Sequence, residues 1–186
     1  LKDGTTGDLQ AKYAQIEREF ETYRKAFDDV FKVQTAIGLT PSDGLWNEMR
    51  TRAREAEEAL TAVAVDALTL ELLQMRRNEK DFMLREQPAD FDLFKASGAK
   101  LVAAIQRQAP SAQAAALLDG IKRYSDAFGA LAQEIRNRAQ VVPKMSAAYA
   151  AADKVVEEVL KIEQAQAEAQ AATMAQRLSG LRTTIG

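Results

Sequence analysis

The sequence LLQMRRNEKDFMLR, residues 72–85, combines apolar positions with a dense run of charges. Four apolar residues have the spacing of one face of an α-helix: Leu72, Met75, Phe82 and Met83. Six of the ten residues from 76 to 85 are charged. Because residues four apart are neighbours on a helix, Asp81 can pair with both Arg77 and Arg85. The stretch therefore predicts a helix with an apolar stripe and a strongly charged surface.

This charge pattern has two interpretations. It is typical of a solvated helix face, where each ion pair contributes a few tenths of a kcal/mol. The alternative is a cationic cluster that faces a small anion or a partner helix, because the arginine fork donates two parallel hydrogen bonds to a carboxylate.

The segment RRNEKDFMLR, residues 76–85, resembles the RR-x-EKDFLLR signature of the helical bimodular sensor domains. These domains are the extracytoplasmic parts of bacterial chemoreceptors and of some sensor histidine kinases. Upstream, GLWNEMRTRAREAE (44–57) is more loosely similar to the family's GL-x-G-x-LR segment, with Asn47 and Glu48 near the position of the family's second glycine. The resemblance implies a bimodular helical fold and a periplasmic, ligand-sensing role in an inner-membrane receptor, recognising small organic acids.

The composition predicts an all-α chain of long helices. The chain has 186 residues, with 9 Gly, 4 Pro and 6% aromatic residues. The residue types that favour helices dominate it. Five helices are predicted, at about residues 7–37, 43–87, 89–108, 111–140 and 144–183, with Ser42 or Asp43 capping the second.

Several function classes are disfavoured by composition. A net charge of −2 gives no basic excess for nucleic acid. The absence of Cys and His removes disulfides, thiol chemistry, and Cys or His metal sites. There is no phosphate-binding loop or nucleophile motif, and the paired glutamates read as solvated helix faces. We therefore expect no catalytic residue, metal or cofactor, and no enzyme activity in this domain.

Helix lengths suggest a topology. At 1.5 Å per residue the second predicted helix spans about 68 Å, which is too long for a compact globule. Predicted helices three and four together match the length of helix two if they stack end to end at Pro110. The chain would then reverse at residues 141–143. The predicted fold class is elongated and all-α, with two stacked four-helix bundles that share long helices. One module would hold the helix tips (residues 17–65 and 111–164) and the other would be membrane-proximal (1–16, 66–110 and 165–186).

Recognition is the remaining chemistry, and two arginine groups are candidates. The first lies early in helix two, with possible donors on a facing helix: Arg50, Arg52 and Arg54, with Tyr124 and Arg136. The second comprises Arg76, Arg77, Lys80 and Arg85, in the other module beside helix three. An alternative role for the signature, through Glu79, Lys80, Asp81, Phe82 and Arg85, is to secure a helix junction.

Three functional hypotheses follow. The first is a homodimeric sensor domain that binds a small molecule, with a carboxylate as the expected class, and that has flanking transmembrane helices outside this segment. The relaxed upstream motif favours a histidine kinase slightly over a chemoreceptor. The second is a structural or adaptor bundle. The third is a sensor that docks a periplasmic binding protein through apolar residues near Leu39 and Val141.

Overall fold

The protein is all-α. The computed structural model describes the backbone of residues 2–184 and the side chains of residues 7–180. It contains five helices: α1 (Lys2–Ile37), α2 (Gly44–Val63), α3 (Asp66–Arg85), α4 (Pro88–Gln108) and α5 (Ser111–Thr184). The long α5 packs against α1 and α2, and α3 packs against α4. Of the described helices, none combines the length and apolarity that a bilayer span requires.

The turn between α1 and α2 forms where the sequence predicts it. Gly38 has φ 118°, and a Cβ there would lie 2.4 Å from the Asp43 carbonyl oxygen, so only glycine fits. Asp43 is the N-cap residue of α2. Its carboxylate accepts hydrogen bonds from the Thr40 backbone N–H (3.2 Å) and hydroxyl (2.9 Å), which stabilises the turn rather than the first helical turn.

The predicted second helix is two helices. Ala64 is left-handed (φ 55°, ψ 40°) and donates its N–H to the Thr61 carbonyl oxygen, and Val65 is extended, so the chain breaks between α2 and α3. The sequence carries no Gly or Pro here, which is why the break escaped prediction. The β-branched residues of TAVAV (61–65) lower helix propensity and allow it.

Two further boundary predictions are wrong. Residues 141–143 do not end a helix, because α5 continues through Pro143, whose ring is exposed to solvent. The start of α1 is Lys2 rather than about Gly7.

Helices α4 and α5 do not stack end to end; they are antiparallel. Phe91 contacts Phe128 and Phe94 contacts Tyr124, so the numbering runs in opposite directions along the two helices. Ala109 is extended (φ −74°, ψ 144°), because Pro110 disfavours the helical conformation in the residue before it. The chain therefore reverses at Pro110, and the length argument for two stacked bundles fails at this point and at residues 141–143.

The chain divides into two compact units: unit 1 is Leu1–Asp29 with Val141–Gly186, and unit 2 is Val30–Gln140. The module boundaries expected from the sequence stay a prediction. Unit 2 contains an aromatic cluster that joins α3, α4 and α5: Phe82, Phe91, Phe94, Tyr124 and Phe128. The buried face of its α2 is formed by Met49, Ala53, Ala56 and Leu60.

Unit 1 is an antiparallel helix pair. Lys12 of α1 forms an ion pair with Glu158 of α5 at 2.6 Å. Farther along α1, the Tyr23 ring lies 6.0 Å from that of Tyr149. The buried side of α5 in this unit has heptad spacing: Ala148, Ala152, Val155 and Val159.

Ala64→Gly should stabilise the protein. Glycine avoids the steric cost of about 1–2 kcal/mol that alanine pays in the left-handed conformation. Part of this gain, about 0.5–1 kcal/mol, is lost because glycine gives the unfolded chain more backbone entropy. Urea denaturation should show a free energy of unfolding raised by about 0.5–1 kcal/mol. The control Ala59→Gly, at an exposed interior position of α2, should lower it by about 1 kcal/mol. Equal losses in both variants would contradict the assigned conformation of Ala64.

Candidate functional site

A buried carboxylate joins α3 to α5. The side chain of Glu79 is 0% exposed. Its Oε2 accepts a hydrogen bond from the Tyr124 hydroxyl and pairs with the Arg76 guanidinium. Arg76 also lies 3.4 Å from the Tyr124 hydroxyl oxygen, with its guanidinium carbon 5.7 Å from the centre of that ring. We call Arg76, Glu79, Lys80 and Tyr124 the Glu79 cluster.

The buried charge of Glu79 is compensated within the cluster. Burial, followed by the Glu79 carboxylate, raises the pKa of Tyr124 far above its usual range, so the hydroxyl stays protonated and donates. The second oxygen of Glu79, Oε1, is buried and receives no hydrogen bond from the described residues. Lys80 places its ammonium 3.2 Å from this oxygen as an ion-pair partner. The Arg76 guanidinium is therefore already paired with a carboxylate of the same chain.

The end of the signature spans the turn between α3 and α4. The Arg85 guanidinium donates two hydrogen bonds to Asp90, at 2.9 and 2.7 Å, and lies 3.4 Å from Asp81. The hydrogen bonds from Arg85 lower the pKa of Asp90 below its usual range. Phe82 is fully buried and its ring meets that of Phe128 edge to face. These contacts join the end of α3 to α4 and α5, and the helix-junction role of the signature stays a prediction.

A polar network reinforces the same hairpin. The Asn78 side-chain amide donates to the Ser97 hydroxyl (2.5 Å) and to the Leu93 carbonyl oxygen (3.1 Å) on α4. Its amide oxygen accepts from Gln74 at 3.2 Å. Asn78 and Ser97 are both buried, so these hydrogen bonds satisfy polar groups that water does not reach.

The other candidate ligand residues have separate surroundings. Arg50 donates to the Pro41 carbonyl oxygen at 3.2 Å, and Arg54 lies among the glutamates of α2. Arg77 lines a groove between α3 and α4, and the Arg136 guanidinium carbon is 4.8 Å from the centre of the Phe91 ring. Among the six candidates, the structure brings Arg76 and Tyr124 together; the ligand role of all six stays a prediction.

Two grooves flank α4. The α3/α4 groove has a volume of about 660 Å³ and contains charges of both signs: Glu71, Arg77, Asp81 and Lys100. The α4/α5 groove has a volume of about 380 Å³ and a largely apolar lining: Phe91, Phe94, Val102, Leu118 and Ile121, with Lys95, Lys122 and Ser125. The sequence did not indicate Lys95, Lys122 or Ser125 as site residues. Each of the two lysines has an aspartate three or four positions away, so the sequence pattern is that of an ordinary surface ion pair.

The grooves hold no metal-binding constellation. Within the described residues, no three Asp or Glu side chains are grouped so that they could hold an ion. Their side chains offer charge, hydrogen bonding and apolar contact, which is the chemistry of small-molecule recognition.

Arg76→Ala should destabilise the protein strongly, because it leaves the buried Glu79 carboxylate without its main counter-charge. We expect a loss of about 2–4 kcal/mol in the free energy of unfolding, measured by urea denaturation. The neighbouring exposed Arg77→Ala should change it by less than about 0.5 kcal/mol. Adding Glu79→Gln to Arg76→Ala should recover part of the loss, because it removes the unpaired charge. Similar small effects for both arginines would contradict the structural role of Arg76.

The comparisons with known proteins assign no family. No family model matches the chain, and no curated protein and no solved structure is significantly similar to it. It is therefore an all-helical, five-helix protein without a family assignment, and its likeness to the bimodular sensors rests on the segments that carry the resemblance.

Proposed function

We propose that this chain is the extracytoplasmic ligand-sensing domain of a membrane-anchored signalling receptor, either a sensor histidine kinase or a methyl-accepting chemotaxis protein. The observation that carries the proposal is the antiparallel pairing of the first and last helices in unit 1. This pairing brings the start of α1 and the end of α5 to the same end of the unit. Two helices that leave a domain side by side are suited to continue into a membrane together.

The helix α5 supplies a route for the signal. It lines the α4/α5 groove in unit 2 and pairs with α1 in unit 1. A ligand that binds between α4 and α5 favours one position of α5, and a shift of this helix along α1 is the motion that such a receptor transmits. The flanking transmembrane helices and the periplasmic location belong to this proposal through the resemblance.

The proposed ligand is a small organic anion. Both grooves beside α4 carry basic side chains at their edges: Arg77 and Lys100, and Lys95 and Lys122. Cationic groups at the edge of a concave surface attract and orient anions.

A thermal-shift screen tests direct sensing. The chain is heated with carboxylates, amino acids and amines at constant ionic strength, and at least one carboxylate should raise the melting temperature saturably. Sodium chloride and sulfate serve as controls for charge screening. If no compound produces a saturable rise, direct ligand sensing is wrong.

The same ligand should move α5 along α1. The chain has no cysteine, so Thr22→Cys with Asp153→Cys can be spin-labelled at exposed sites on the two helices of unit 1. Their distance distribution should change with ligand. A pair within α5, Asp153→Cys with Gln176→Cys, should not change, because it reports one helix alone.

A homodimer completes unit 1 in this proposal. Apolar residues follow one another along α1 at alternating spacings of four and three residues. Leu9, Ile16 and Tyr23 of this series are half-buried, whereas the positions between and after them are about half-exposed: Tyr13 46%, Phe20 52% and Phe27 47%. On α5, Tyr149, Leu160, Met174 and Leu178 are more than half-exposed. Two helices with uncovered heptad stripes, paired with the same two helices of a second copy, make a four-helix bundle.

Phe20→Asp should weaken the homodimer. The wild-type chain should sediment at twice its 20.4 kDa mass at micromolar concentration. Each copy of the dimer would then carry a buried charge on the apolar stripe of its α1. The dissociation constant should therefore rise at least about tenfold. The control Thr22→Asp lies on the opposite face of α1 and should leave association unchanged. A monomeric wild type, or equal effects of both variants, would contradict this interface.

One observation favours docking of a periplasmic binding protein as the second candidate. Leu39, in the turn between α1 and α2, is 65% exposed. A large apolar side chain at the end of a helical hairpin is suited to contact another protein. Val141, which was predicted to belong to the same surface, is half-buried and adds little to it. A structural or adaptor role has no specific observation in its favour, and would follow from failure of both the ligand screen and the docking of a binding protein.

A further inference from the structure

The α4/α5 groove has an apolar interior. The Phe94 ring is fully buried, with its centre 4.3 Å from that of Phe128 and 5.5 Å from that of Tyr124. Phe91 stacks beside Phe94 at an interplanar angle of 12°. The partly exposed Phe91 is fixed in place by these buried rings. With the partly exposed Val102 and Leu118 it forms an apolar wall that a compact apolar group can contact without reorganisation.

Basic side chains stand at the edge of this groove. The Lys95 ammonium lies 5.2 Å from the centre of the Phe91 ring on α4, and Lys122 lines the groove from α5. Each ammonium now pairs with an aspartate of its own helix: Lys95 with Asp92 at 2.7 Å and Lys122 with Asp126 at 2.5 Å. Both aspartates are more than three-fifths exposed. Such surface pairs are weak, so a ligand carboxylate can compete for the two ammonium groups.

Ligand size follows from the volume. About 380 Å³ is near the lower limit of small-molecule pockets, which suits one aromatic ring or a branched alkyl group with a short acidic arm. The α3/α4 groove differs, because Glu71 and Asp81 lie in it beside its basic residues and would repel an anion. In the α4/α5 groove Asp92 and Asp126 are not part of the lining, which therefore contains two basic and no acidic side chains.

We propose that the α4/α5 groove binds a small monocarboxylate with a compact apolar or aromatic body, held by Lys95 and Lys122 at its edge and by the phenylalanine wall inside. This inference rests on the proposed sensing function and names its site and ligand class. The Ser125 hydroxyl, which lines the groove from α5, supplies a neutral hydrogen-bond donor for the carboxylate.

Phenylacetate is the probe that tests the site, with binding measured by isothermal titration calorimetry. Phenylacetate should bind saturably. Phenethylamine, of similar shape but opposite charge, should not bind, and neither should succinate, which lacks the apolar body. Removal of both ammonium groups in Lys95→Ala with Lys122→Ala should weaken phenylacetate binding at least about tenfold. Ala99→Trp, which fills the groove from an exposed position of α4, should abolish it.

Matched controls lie on the other side of α4. Lys100→Ala and Ala96→Trp change the α3/α4 groove by the same chemistry, and should leave phenylacetate affinity within about twofold. Circular dichroism shows whether each variant is folded. If either the double lysine variant or Ala99→Trp fails to fold, the other one still tests phenylacetate binding in the α4/α5 groove.

The outcomes separate the two proposals. Loss of phenylacetate binding in the α4/α5 variants alone supports the assigned groove. If phenylacetate binding is lost in the control variants instead, or if only another carboxylate binds, the assignment is wrong and the sensing function stands. If no compound of the thermal-shift screen binds, both are wrong.

Discussion

The fully buried carboxylate of Glu79 is the constraint that organises unit 2. A buried charge costs several kcal/mol unless it is paired and hydrogen-bonded. The protein meets this requirement with a guanidinium from the preceding helical turn and a hydroxyl from α5. The pairing fixes the register of α3 against α5, because a shift of either helix by one turn would separate the carboxylate from Tyr124. The edge-to-face contact of Phe82 with Phe128, one turn further along both helices, depends on the same register.

The position of α4 follows from covalent geometry at its two ends. Pro88 begins the helix, and Pro110 forces the residue before it into an extended conformation, so that α4 is antiparallel to both α3 and α5. Arg85 and Asp90 then join the ends of α3 and α4 across the turn. A helix held between two others in this way has a groove on each side. The charges of α3 make one groove mixed in sign, and the aromatic rings of α4 make the other apolar.

The sequence predicts the helical class, the turn after Ile37 and a helix start within one residue of Pro88, because Gly and Pro have strong local effects on the backbone. It does not predict the break at Ala64, where no such residue marks the left-handed conformation. It also predicts a chain reversal at Pro143, yet α5 continues there. Proline removes one backbone hydrogen bond, and packing on either side, as at Ile135 and Ala148, can outweigh that loss.

The candidate site shows a related limit. The sequence suggests Arg76 and Tyr124 as ligand residues, because their chemistry suits carboxylate recognition. The structure shows that they bind a carboxylate, and that this carboxylate is Glu79 of the same chain. Sequence spacing identifies what a side chain can bind but cannot show whether the fold already supplies the partner. Loss of ligand binding in an Arg76 variant would therefore report unfolding as readily as recognition. Side chains whose present partners are weak, such as Lys95 and Lys122, are better placed to exchange them for a ligand.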